Sequence, residues 1–255
     1  MSNKQMDISL HDTVEQEPAA ETTTGPVGGK SHKAASSSRG KSVVTLAEHV
    51  VEIISDSGEG AQRCGQSFAA VAARGGNGIW TVEIIPAEIR PPARSVAGAS
   101  GNRIRLASNA VDNGGDEADL VVAFNEQVLR GRVDSGELKP GCIILLESKW
   151  GDDPDPTIAE NYRSTVNELT AAGYRVHEVP MEVECLRHVG DARHGKNMFA
   201  LGLLCDIYSL SLDQARKQIA ITFAKKDAAV IESNVTLLEA GYAWADENLE
   251  FGFWV

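Results

Sequence analysis

Residues 54–65 read Ile-Ser-Asp-Ser-Gly-Glu-Gly-Ala-Gln-Arg-Cys-Gly, and three kinds of side chain in them bear on chemistry. Gly58 and Gly60 can bring main-chain N–H groups close to a ligand, Asp56 and Glu59 are carboxylates, and Ser57 and Gln62 are neutral hydrogen-bonding groups. The stretch follows the apolar run His49-Val-Val-Glu-Ile53 and leads into the alanine-rich residues 67–73. A strand, a glycine turn and a helix in that order open many nucleotide-binding domains. The details oppose a dinucleotide fingerprint. In Gly-x-Gly-x-x-Gly the third glycine permits close helix–strand packing; Arg63 stands there, and the next glycine is Gly65. Asp56 and Glu59 would repel a pyrophosphate at a cost on the order of 1 kcal/mol. The second strand closes at Ile84-Ile85-Pro86 without an acid for a ribose, and no P-loop lysine follows the turn. These details argue against a self-sufficient NAD or ATP site. Two readings stay open: a turn that only redirects the chain, or a working edge where strand carboxyl ends meet helix starts.

The elements around the turn follow from apolar periodicity. Residues 50–54, 78–85, 103–107, 120–124, 143–146 and 174–179 read as strands, and residues 62–74 and 157–172 as helices. Short apolar strands interleaved with helices predict an α/β fold, a three-layer Rossmann-like arrangement of a mainly parallel sheet with helices on both faces. Beyond about residue 181 the strand pattern stops. Residues 198–208, 212–223 and 228–245 read as helices, a helical C-terminal extension of the same domain, with Gly241 weakening the last of them. The cluster Met198, Phe199, Leu201, Leu203, Leu204 and Ile207 covers more than one helix face and predicts burial on several sides. Residues 1–42 are polar, small and non-periodic, and are expected to form a disordered tail before a domain over residues 43–250, its helical extension over 181–250.

Composition narrows the partners. In 255 residues, 36 acids against 24 Lys and Arg give a net charge of −12, which argues against nucleic acid or an anionic membrane. The four cysteines, Cys64, Cys142, Cys185 and Cys205, include no Cys-x-x-Cys pair, so neither zinc nor an iron–sulfur cluster finds its usual spacing, and buried reduced thiols are expected. With no secretory h-region or membrane-length apolar run, the cytoplasm is the expected compartment. Asp152, Asp153 and Asp155 lack the glycine and distal glutamate of an EF-hand and read as a solvated loop. His188 and His194 beside Asp191 lack further metal ligands and read as surface histidines, and Lys196-Asn197 at a helix start reads as its cap, with contact to a phosphate or a partner as the alternative.

Four segments in order carry a resemblance. Asp56-Ser-Gly-Glu-Gly-Ala-Gln62, Pro86-Ala-Glu-Ile-Arg-Pro-Pro-Ala93 with Ala97-Gly-Ala-Ser-Gly101, Lys196-Asn-Met-Phe-Ala-Leu-Gly202, and residues 234–242 resemble the gamma domain of 2-oxoacid:ferredoxin oxidoreductases. The type is the fused alpha subunit of the 2-oxoglutarate class, where this domain comes first, and the resemblance runs over about residues 48–246. Ser55 stands where that family usually has glycine, and Ala61 where it often has methionine.

The resemblance implies a reaction in which a 2-oxoacid and coenzyme A become acyl-CoA and carbon dioxide while electrons pass to ferredoxin. The complex is expected to use thiamine diphosphate, Mg2+, coenzyme A and [4Fe–4S] clusters on partner domains, with none bound by this chain alone. Neither the thiamine signature Gly-Asp-Gly nor the domain that follows in the fused subunit occurs in these 255 residues. The implied partners are therefore the thiamine-diphosphate-binding alpha and beta subunits, with ferredoxin met through the complex, and the chain has no catalytic residue or metal ligand of its own. The alternative is a non-catalytic scaffold or regulatory module on the same fold.

Arg90, Arg94, Arg103 and Arg105 form a local basic cluster in an acidic chain, and arginine binds phosphates bidentately. With a gamma domain lying near coenzyme A, the resemblance makes Arg90 and Arg94 its candidate contacts, on a loop held extended by Pro91-Pro92. The candidate edge comprises Ser57, Gly58, Glu59, Gly60 and Gln62 of the turn with Glu88, Arg90, Arg94, Ser95 and Ser100 of the loop. The opposing reading is a solvated loop whose arginines pair with Glu83 or Glu88.

Overall fold

The structure is a computed structural model and describes residues 40–86, 99–191 and 195–255. Strand β1 (Ser42–Thr45) leads to β2 (Glu48–Asp56), helix α1 (Ala61–Gly75), and the antiparallel pair β3 (Gly78–Ile84) and β4 (Ala99–Ala107). The chain continues through β5 (Ala118–Ala123), α2 (Glu126–Asp134), β6 (Leu138–Glu147), α3 (Pro156–Ala171) and β7 (Arg175–Val179). Four helices follow, α4 (Met181–Leu186), α5 (Lys196–Ile207), α6 (Leu212–Thr222) and α7 (Ala228–Asn248), before β8 (Phe251–Trp254).

Six strands form one sheet in the order β3-β4-β2-β5-β6-β7. β2, β5, β6 and β7 are mutually parallel, while β4 runs antiparallel to both its neighbours. β2 is a run of β-branched residues because both its faces are covered. Val51 and Ile53 join the core under α1 and α5, whereas Val50 and Ile54 join Val128 and Leu129 of α2 and Tyr162 and Leu169 of α3. This is the expected three-layer α/β arrangement, with helices on both faces of a mainly parallel sheet and a helical C-terminal part.

α5 bears out the apolar run: every residue of it except Asp206 is buried. It lies against α7 at two glycines. A Cβ on Gly202 would stand 2.1 Å from the Leu238 carbonyl oxygen, and one on Gly241 would stand 2.0 Å from that of Phe199. Gly241 is therefore a contact point between two helix backbones.

Three sequence expectations need correction. Strands do not end near residue 181, because β8 pairs in parallel with β1 in a second, two-stranded sheet. Four residues with a glycine inside carry no periodic signal, yet Phe253 packs its ring 4.5 Å from His49 and 5.7 Å from Tyr208. β1 also includes Ser42, assigned by sequence to the tail; residues 1–39 of that tail lie outside the described residues. Finally, α2 was absent from the periodic reading. Asn125 caps it, its side chain accepting from the N–H groups of Gln127 and Val128.

The four thiols are free and buried. Burial pushes those of Cys142, Cys185 and Cys205 up to about 12 and that of Cys64 higher still, so none ionises near neutrality. Asp155 caps α3 through the Thr157 N–H, and Asp153 accepts from the Asp155 N–H, so the acidic loop serves helix entry.

Candidate functional site at the ends of β2 and β5

From the carboxyl end of β2 the chain turns to α1 on one face of the sheet; from the neighbouring end of β5 it turns to α2 on the other. Where adjacent parallel strands send their chains to opposite faces a crevice opens, and open α/β sheets bind ligands there. The glycine turn forms one lip of this crevice and Phe124-Asn125-Glu126 the other.

The turn depends on two left-handed residues, Gly58 at φ 93° and Gly60 at φ 90°, a region costly for residues with a Cβ. The Glu59 carboxylate folds back, its Oε2 accepting from the Asp56 N–H at 3.3 Å. Its Oε1 receives the Lys196 ammonium at 2.7 Å. Lys196 is 1% exposed, stands 5.3 Å from the centre of the Phe124 ring, and lies 4.0 Å from Glu182. Glu147, fully buried at the end of β6, accepts from the N–H groups of Lys149 and Glu182. Burial pushes its carboxyl from the usual 4.5 up to about 7, against the opposing pull of Lys196 and the two amides. Lys196, Glu59 and Glu147 thus bring this chain's own charges to the crevice.

Beside it, between the start of α1 and the α6–α7 connection, lies an open cleft of about 540 Å³. Of the predicted edge residues, Gly58, Glu59, Gly60, Gln62 and Ser100 line it together; Ser57 is exposed on the turn and does not. Gln62 donates through Nε2 to the Ile84 carbonyl, tying α1 to the end of β3. Glu88, Arg90, Arg94 and Ser95 lie outside the described residues, as does His194.

The basic cluster is corrected in part. Arg103 pairs with Glu52 and Glu137, and Arg105 with Glu48. Glu52 is fully buried and also receives Arg132 at 2.7 Å, so Arg103 serves the core under α2. The acids engaged are these three, and Glu83 instead accepts from Gln66.

Arg63, Asn197, Phe223 and Lys226 also line the cleft and were not among the predicted site residues. Arg63 was weighed only as an obstacle to helix packing. That packing falls to Gly65, where a Cβ would stand 2.4 Å from the Asn102 Cβ, leaving Arg63 on the exposed side with its guanidinium 5.4 Å from the Phe223 ring centre. Lys196 carried a readable signal: a cation in the first turn of a helix faces the positive end of the macrodipole, so its burial there demands carboxylates. The cleft offers cations, amides and a helix start.

The sequence profile of the pyruvate ferredoxin/flavodoxin oxidoreductase family matches residues 51–244, well over half of the chain. The chain is 32% identical over 210 residues to the 2-oxoglutarate oxidoreductase subunit KorA of Mycobacterium tuberculosis, covering 80% of this chain and 32% of that one. Among solved structures it is similar to the 2-oxoglutarate:ferredoxin oxidoreductase of Magnetococcus marinus, which was solved with 2-oxoglutarate, coenzyme A and succinyl-CoA bound. That match has a TM-score of 0.65 and 25% identity, and covers 82% of this chain and 33% of the other. The gamma subunit of a keto/oxoacid ferredoxin oxidoreductase from Geobacter sulfurreducens shares the fold, with a TM-score of 0.57 and 18% identity over 78% of this chain and 97% of that one. The chain spans about a third of the length of KorA. By the match over residues 51–244, it belongs to the pyruvate ferredoxin/flavodoxin oxidoreductase family.

Proposed function

We propose that this chain is the gamma-type component of a 2-oxoacid:ferredoxin oxidoreductase of the 2-oxoglutarate class. In this reading the assembled enzyme converts a 2-oxoacid and coenzyme A to acyl-CoA and carbon dioxide and passes the electrons to ferredoxin. The chain assists assembly and covers the coenzyme A edge of the active site with its glycine turn and the loop carrying Glu88, Arg90, Arg94 and Ser95. One observation carries the reading: the 32% identity to KorA extends over 80% of this chain, which makes the likeness one of a whole domain.

Among the described residues no three His, Cys, Asp or Glu side chains converge to hold a metal ion, and the four thiols are apart and buried. In this reading thiamine diphosphate with its Mg2+ and the [4Fe–4S] clusters belong to partner domains. There they supply the decarboxylation and electron-transfer chemistry. This chain's own groups orient and shield: the Lys196–Glu59 pair fixes the turn, and the cleft at the start of α1 faces outward. We place the protein in the cytoplasm, where buried thiols stay reduced; no described helix is long and apolar enough to cross a membrane.

The test is to isolate the tagged full chain from its native host. Expected are co-purification with a thiamine-diphosphate-binding chain and 2-oxoglutarate-dependent reduction of ferredoxin with formation of succinyl-CoA. Elution of the chain alone, with 2-oxoacid oxidation intact after its deletion, overturns the reading.

A further inference from the structure

We propose that Asn113-Gly114 is a self-modifying site, where the chain converts its own asparagine to aspartate or isoaspartate with water as the only co-reactant. Asn-Gly occurs twice in the sequence, at Asn77-Gly78 and Asn113-Gly114. A glycine after asparagine leaves the next main-chain nitrogen open to attack the side-chain amide, because no Cβ shields it. Both pairs share that local chemistry, and the fold treats them in opposite ways.

Asn113 lies exposed in the connection between β4 and β5. Its Oδ1 accepts from the Arg105 Nη1 at 2.6 Å and from the Gly115 N–H at 3.0 Å. Its Nδ2 donates to the Asp112 Oδ1 at 3.0 Å, so the partners tell the two ends of the amide apart. The bond from Gly115 closes an Asx turn, which folds the side chain back beside the Asn113–Gly114 peptide. The Gly114 N–H is engaged in no hydrogen bond among the described residues. Two donors on the oxygen of the carbonyl under attack stabilise the oxyanion that develops there. Glu48 holds Arg105 through Nε and Nη2 and leaves Nη1 to Asn113. Packing retains the reactive pair: a Cβ on Gly114 would stand 2.9 Å from the Val82 Cγ2.

In the step itself the Gly114 nitrogen forms a bond to the Asn113 Cγ, and the bond from Cγ to Nδ2 breaks. The Gly114 N–H proton passes through water to the leaving nitrogen, which departs as ammonia, favoured by the Asp112 carboxylate beside it. Water then opens the five-membered imide at either carbonyl. The products are aspartate and isoaspartate, and each adds one negative charge to a chain already at −12. Isoaspartate also lengthens the backbone by one carbon where Gly114 and Gly115 pack closely on Val82 and Val50, so it loosens this connection from β3 and β2.

The other pair lacks these features. Asn77 donates through Nδ2 to the Val255 main-chain oxygen at 2.7 Å. Gly78 opens β3 opposite Ala107, and a Cβ on it would stand 1.8 Å from the Asn109 carbonyl oxygen. Ring closure at Asn77 would pull β3 away from β4.

The purified full chain is incubated in neutral buffer at physiological temperature, folded or unfolded in urea. Peptide mapping by tandem mass spectrometry reads the exchange of amide NH2 for OH. In the folded chain position 113 is expected to convert at least as fast as in urea, and position 77 about tenfold more slowly than in urea. Arg105→Gln should slow conversion at 113 about fivefold, less than for an enclosed oxyanion donor because water takes its place. Lys217→Gln, which removes the same charge from the exposed side of α6, should leave the rate unchanged. Slower conversion at 113 folded than unfolded, or equal rates at 113 and 77 in the folded chain, overturns the proposal. Indifference to Arg105→Gln in a variant that melts like the wild type does the same; if that variant melts differently, the folded and unfolded wild type decide alone. Isoaspartate among the products marks the imide, whereas aspartate alone would mean direct hydrolysis and would overturn the attack by Gly114.

Discussion

Lys196 occupies a position where a lysine needs compensation. Its side chain is 1% exposed, in the first turn of α5, against the positive end of the helix dipole. Glu59 at 2.7 Å and Glu182 at 4.0 Å provide the opposing charge. Replacing Lys196 by Met would leave Glu59 without its cation, and removal of one partner of a largely buried pair costs about 3 kcal/mol. Urea denaturation of Lys196→Met should show a loss of that size, with part of it recovered in the double variant with Glu59→Gln. Glu147 gives the site a pH dependence of known sign. Its folded carboxyl titrates at about 7 against an ordinary 4.5, so between those values the native state holds a proton that the unfolded state has released. Its contribution to stability is fully present below about pH 4.5 and is lost as pH rises through 7. Over that window the wild type should lose up to about 1.4 kcal/mol per pH unit relative to Glu147→Gln. Parallel slopes for the two proteins in melts from about pH 5 to 7.5 would refute this.

At the scale of elements, glycine sets how closely backbones approach. Gly241, a weak point of its helix by propensity, meets the Phe199 carbonyl where a Cβ would sit at 2.0 Å. A methyl there must push α7 off α5, and α5 forms much of the core on its face of the sheet. Gly241→Ala should therefore cost about 3 kcal/mol despite alanine's higher helix propensity, read as a lowered midpoint in thermal or urea melts. A stabilised Gly241→Ala protein would show that the helices are free to separate there. In α1 the same logic divides the labour of Gly65, which packs on Asn102, from that of Arg63 two residues earlier on the exposed side.

For the whole molecule, a net charge of −12 means long-range self-repulsion. The inner pairs, Lys196 with Glu59 and Arg132 with Glu52, are shielded by protein, while most surplus acids face water. Added salt screens the second set far more than the first. Raising sodium chloride from about 20 to about 200 mM should thus raise the melting temperature by roughly 2–4 °C, the equivalent of ~1 kcal/mol or less; a fall would place the dominant electrostatics in the pairs.

The sequence by itself determined the elements that repeat a period. β2, β5 and β6 were legible because strands covered on both faces must be apolar throughout, and α5 because a helix buried on all sides must be as well. It also determined that the glycine turn begins a helix and that Gly58, Glu59, Gly60 and Gln62 fall on one stretch of surface, since turn residues adjacent in sequence stay adjacent in space; Ser100 joins them only through the pairing of β4 with β2. What only the tertiary structure decided depends on residues far apart in the chain. No local pattern reveals that β8 returns to β1, that Lys196 neutralises Glu59 from 137 positions away, or that Arg103 faces the buried Glu52. Nor does any show that Lys226 meets Arg63 across a cleft. Charges act through space and acquire their meaning from the dielectric and the neighbours that folding gives them, so the same carboxylate that reads as a barrier to an anion in the sequence is, in the folded chain, already spoken for.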